Sequence, residues 1–100
     1  MKKYRASLSA TKARKMSENP KNILETMYNG IKREASHGHA ETEHAFYDQQ
    51  AQAICSAARI LEEDGYEVKV GAYIGGEYTF VTDLDALEGT IGDCRIKATW

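Results

Sequence analysis

The sequence predicts an α+β protein: a helical hairpin packed on a small, mostly antiparallel three-stranded sheet, preceded by a basic N-terminal arm or helix. Three observations carry this. Apolar residues recur at three- and four-residue steps between positions 20 and 64. The period then drops to two after Gly65. A double glycine, Gly75-Gly76, separates two strand-like runs, as tight hairpin turns require.

The first helix is expected over about residues 20–37. Asn19 is placed to cap it and Pro20 suits its first turn, where a missing amide costs nothing. Ile23, Leu24, Met27, Tyr28, Ile31 and Ala35 form its apolar face. Gly30 lowers its helix preference by about 1 kcal/mol relative to alanine. Gly38 is the natural stop, since glycine adopts the left-handed conformation that ends helices. A second helix is expected over about residues 42–64, capped by Thr42. Its inner stripe is Tyr47, Ala51, Ile54, Ala58 and Leu61, with Ala53 and Ala57 allowing close approach, and Asp64-Gly65 ends it. The short link between the two predicts antiparallel packing.

Strands are expected at about 66–74, 77–82 and 94–100. Tyr66, Val68, Val70, Ala72 and Ile74 share one face of the first, and Glu67, Lys69 and Tyr73 the other. Cys94, Ile96, Ala98 and Trp100 alternate inward in the last. Asp83–Glu88 reads as one helical turn with Asp83 as cap and Gly89 as stop. Residues 1–19 form the arm and 20–100 one α+β domain. No repeat or low-complexity tract interrupts this plan.

Composition bounds the function. One hundred residues support one modest core, and 42% apolar with 28% charged residues is ordinary for a globular chain. No apolar run is long enough to span a bilayer, and no apolar block follows the basic N-terminus as in a secretory signal. The expected location is therefore the cytoplasm, with no membrane partner. Two cysteines, Cys55 and Cys94, do not make a disulfide framework and are read as reduced, partly buried thiols.

The net charge of −2 hides an asymmetry. Residues 1–16 carry Lys2, Lys3, Arg5, Lys12, Arg14 and Lys15 and no acid, a charge of +6. The remainder holds seven bases and fifteen acids, a charge of −8. The arm, with Tyr4 able to stack, is suited to an acidic protein surface and, second, to phosphates. The acidic body argues against nucleic acid as the first choice.

All three histidines, His37, His39 and His44, fall in the stretch SHGHAETEH beside Glu41 and Glu43, which is a candidate divalent-metal or pH-sensitive loop. It lacks the H-E-x-x-H spacing of a helical zinc site, and histidines at one helix end with glutamates at the next start complement the two dipoles. No metal is therefore favoured. Asp83, Asp85 and Glu88 lack the twelve-residue calcium loop. Neither cysteine sits in a nucleophile motif, and Gly75-Gly76 and GTIG at Gly89–Gly92 are not phosphate loops. The reading is of a protein that is not an enzyme and needs no cofactor. Tyr73 and Tyr78 flank the double-glycine turn, and alternation places one of them on the outer sheet face, where tyrosine suits an interface.

The run ILEEDGYEVKV (Ile60–Val70), followed by a sheet ending on IKATW (Ile96–Trp100), resembles short bacteriophage-encoded α+β accessory proteins. The likeness covers about residues 23–100 and rests on L-x-x-x-G-[YF]-x-V with a terminal I-x-x-x-W. It implies a viral protein that binds and modulates a host protein in the host cytoplasm, in some cases as an inhibitor. It implies no catalytic or ligand residues. The partner expected is a host protein, contacted through the arm, Tyr73 and Tyr78. Self-association is also expected, because a three-stranded sheet has two open edges.

Overall fold

A computed structural model describes residues 19–74 and 76–100. Lys2, Lys3, Tyr4, Arg5, Lys12, Arg14 and Lys15, and with them the expected arm, lie outside the described residues. The chain forms α1 (Lys21–Ser36), β1 (Glu41–Gln50), α2 (Ala51–Glu63), β2 (Glu67–Ile74), β3 (Glu77–Val81), a 3₁₀ turn (Leu84–Ala86) and β4 (Thr90–Thr99). Among the described residues the class is α+β, with two helices and a four-stranded antiparallel sheet of order β1-β4-β2-β3.

Helix α1 starts at Lys21 with Pro20, not Asn19, at its N-cap, although the Asn19 side chain still satisfies a first-turn amide. Asn19 Oδ1 accepts the Lys21 amide at 2.9 Å, and the Leu24 amide reaches Pro20 O at 2.9 Å. It ends on Gly38 (φ +81°): the amides of Gly38 and His39 bond Ala35 O and Glu34 O at 3.1 and 2.9 Å, a Schellman closure. Ile23, Met27 and Ile31 are its buried stripe. Helix α2 buries Ala51, Ile54, Ala58 and Leu61 together with Ala53 and Ala57, as the periodicity predicts.

Residues 41–50 correct the sequence reading. They form a strand instead of the first turns of a second helix, so the helical hairpin is replaced by a helix, an edge strand and a second helix. The deciding pattern has period two. Thr42 and Phe46 are buried and His44 half-buried, whereas Glu41, Glu43, Ala45 and Tyr47 face solvent. A partner also exists: β1 pairs with β4 from Glu41–Thr99 to Gln50–Thr90. Thr42 is consequently no cap. Its hydroxyl lies 3.0 Å from His44 Nε2 beneath α1.

Strands β2 and β3 match expectation, with Ile74 paired to Glu77 across the turn. Strand β4 is longer than expected and enters between β1 and β2, antiparallel to both. Its inward residues Cys94, Ile96 and Ala98 are fully buried against Ile23, Met27, Ile54 and Leu61. Trp100 lies just past the end of β4 and is only partly covered. The residue is 40% exposed, its ring meets that of Tyr66 edge-on at 6.0 Å, and its amide bonds Ala40 O at 2.9 Å. The 3₁₀ turn is capped as predicted, Asp83 Oδ1 accepting the Asp85 amide at 3.1 Å.

Two contacts hold α1 in place. The Tyr28 hydroxyl donates to the Asp64 carboxylate at the end of α2, a bond that pushes the phenol up to about 12. At Gly30, a Cβ would stand 2.1 Å from His44 Nε2 and 2.8 Å from Thr42 Oγ1. Glycine therefore sets how closely α1 approaches β1. Gly30→Ala should destabilise the protein by about 1–3 kcal/mol in urea melts despite alanine's better helix preference. In a His44→Ala background the loss should shrink or reverse, and a double-mutant cycle reads that coupling.

Candidate functional site

Among the described residues, α1 and α2 cover one face of the sheet and leave the other open. Strand register fixes what the open face displays. Glu41, Thr99 and Glu67 lie across β1, β4 and β2 at one end, followed by Glu43, Lys97 and Lys69. Next come Ala45, Arg95 and Gly71, with Phe80 opposite Gly71 on β3. Tyr47 opposite Asp93, and Tyr73 opposite Tyr78, occupy the far end.

The aromatics form a ladder. Tyr73 meets Tyr78 at 5.5 Å between ring centres and Tyr78 meets Phe80 at 6.0 Å, both edge to face. Tyr78 lies over Gly71, where a Cβ would come within 2.2 Å of its hydroxyl oxygen. This partial burial raises the phenol's pKa, aided by the Glu43 carboxylate and opposed by Arg95. Tyr73, Phe80 and Tyr47 are 56%, 62% and 59% exposed, far more than rings in a core. On the same face Lys97 Nζ pairs with Glu41 Oε2 at 2.8 Å, which raises the ammonium's pKa. Lys69 and Arg95 have no ion-pair partner among the described residues.

The sequence reading placed one of Tyr73 and Tyr78 outward. The hairpin pairs them directly, so both face out. Phe80, Arg95 and Tyr47 were missed. The alternation of EYTFV already puts Tyr78 and Phe80 on one side, whereas Tyr47 was hidden by its assignment to a helical stripe.

The histidines separate. His37 and His39 are exposed on the turn after α1, with ring centres 6.4 Å apart. His39 Nδ1 lies 2.7 Å from Glu34 Oε1, and this bond, with Arg33 beside it, holds the Glu34 carboxyl below its usual range. His44 belongs to β1 and faces α1. Among the described residues no group of three or more His, Cys, Asp or Glu side chains is arranged to hold a metal ion. The acidic turn is engaged locally: Asp83 caps, and Asp85 pairs with Arg59.

Both cysteines are free and buried. Burial pushes the Cys94 thiol up to about 11 and raises Cys55, whose thiol donates to Leu84 O at 2.9 Å. These are poor nucleophiles, since the thiolate is the reactive form.

Fold and surface define a small α+β protein that presents an aromatic, mixed-charge sheet face. No protein-family model, curated protein or solved structure matches the chain. No helix among the described residues is long and apolar enough to cross a membrane.

One titration follows from the site. Burial, with Arg33 nearby, lowers the native pKa of His44 below its ordinary 6.5. The unfolded chain therefore takes up the proton first as pH falls through that value, and stability drops toward acid. Urea midpoints should be lower at pH 5 than at pH 7.5, and His44→Gln should flatten that slope. The depressed Glu34 carboxyl adds its own loss only below its ordinary 4.5.

Proposed function

We propose that this chain is a non-enzymatic interaction protein that binds another protein through the open face of its sheet. The observation that carries this reading is the exposed ladder Tyr73–Tyr78–Phe80 beside Arg95. Tyrosine and arginine dominate the energetic centres of protein interfaces. The charge on this face points the same way. Glu41, Glu43, Glu67 and Asp93 outnumber Lys69, Arg95 and Lys97, so the face has no net attraction for a polyanion. The likeness of residues 23–100 to short phage α+β proteins supports the finer reading of a viral accessory factor that engages a host protein in the host cytoplasm.

A second reading, nucleic-acid binding, rests on the +6 charge of residues 1–16.

The full-length chain as bait in bacterial lysate should retain a specific protein. Tyr73→Ala and Arg95→Ala should each weaken that complex by about 2 kcal/mol, or roughly thirty-fold, while leaving the melting temperature nearly unchanged. Equal retention by wild type and both variants would remove this face as the binding surface. A shift on single-stranded or duplex DNA that collapses with salt, without a protein partner, would favour the second reading.

A further inference from the structure

The outer edge of β3 is unlike the other edge of the sheet. β1 carries Glu41, Glu43 and Asp48 and lies against α1, where Gly30 meets Thr42 and His44. Such charges and cover are the usual protection of an edge against pairing. β3 has little of this. Its sequence, Glu77-Tyr78-Thr79-Phe80-Val81, holds one charge and no proline, its first four residues are exposed, and among the described residues no strand pairs with its far side. Aromatic and β-branched residues there favour strand pairing.

We infer that the β3 edge joins two copies of this chain, antiparallel about a two-fold axis at Thr79, into one continuous eight-stranded sheet. Successive residues of a strand aim their backbone groups at opposite sides. Glu77 closes the hairpin against Ile74, so Tyr78 and Phe80 point theirs at the free edge. With the axis at Thr79, Tyr78 faces the partner's Phe80 and exchanges N–H and C=O bonds with it, and the reciprocal pair does the same. The aromatic ladder then runs unbroken across the axis on the open face. On the opposite face Thr79 meets the partner's Thr79, a favourable cross-strand pair. Glu77 faces the partner's Val81, so no like charges oppose.

Other registers fit less well. A one-residue slip sets the open face of one copy against the covered face of the other. A two-residue slip shortens the paired length and opposes Gly76 to an aromatic, or Tyr78 to Thr82. Pairing at the β3 edge leaves the open face uncovered, so the dimer forms whether or not that face binds a partner.

The test is sedimentation equilibrium of the full-length chain with Thr79 as the probe. Wild type should dimerise. Thr79→Lys and Thr79→Glu should each weaken dimerisation at least ten-fold, because each places like charges across the axis. An equimolar mixture of the two should restore it. Thr79 is exposed and outside the core, and melting curves check that both variants fold. Independently, Thr79→Cys should give a disulfide-linked dimer under mild oxidation, since non-hydrogen-bonded antiparallel partners sit at bridging distance. A wild-type chain that stays monomeric up to about 1 mM overturns the inference. So does a Thr79→Lys dimer as tight as wild type, a charge-swapped mixture that fails to pair, or a Thr79→Cys protein that does not cross-link.

Discussion

The structure depends on the parity of β4. Cys94, Ile96 and Ala98 fill the centre of the covered face, between Thr42, His44 and Phe46 of β1 and Val68, Val70 and Ala72 of β2. Two of these positions are alanines, and α2 brings Ala53, Ala57 and Ala58 against them. Small residues on both sides let a helix sit close to the sheet, so a core with few large side chains still excludes water. The intervening residues of β4, Asp93, Arg95 and Lys97, then have only the open face available. The polar and aromatic surface is thus the other half of the alternation that builds the core. A slip of one residue would exchange the two.

Much of this was legible in residue order. Gly38, Asp64-Gly65 and the Asp83 cap all act where local chemistry says they should, because each depends only on its immediate neighbours. The failure lay at residues 41–50. There Tyr47 and Ala51 continue a helical spacing into a true helix, while Thr42, His44 and Phe46 alternate weakly, two of the three being polar. What decides for a strand is the pairing with β4, some fifty residues later in the chain. No local pattern contains that information. The same distance effect hid part of the surface: Arg95 and Phe80 become neighbours of Gly71 only through sheet register.

The groups that look reactive in the sequence are largely engaged within the fold. His39 bonds Glu34 at a helix end and His44 sits in a helix–strand contact, and Asp83 and Asp85 after β3 cap a turn and pair with Arg59. The thiols are driven toward their neutral form by burial. What remains outward is area and shape more than chemistry. Rings held edge to face over a glycine form a rigid relief, and a rigid surface loses little entropy when it is covered.

The order of the strands also has a temporal side. β1 and β2 are neighbours of β4, not of each other, and β4 is made after both of them. During synthesis α1, β1, α2 and the β2–β3 hairpin leave the ribosome with a gap in the middle of their future sheet. The hairpin can close early, but β1 has no strand to pair with until residues 90–99 emerge. Until then the apolar sides of both helices are without their floor, so the core cannot close before the last strand is in place.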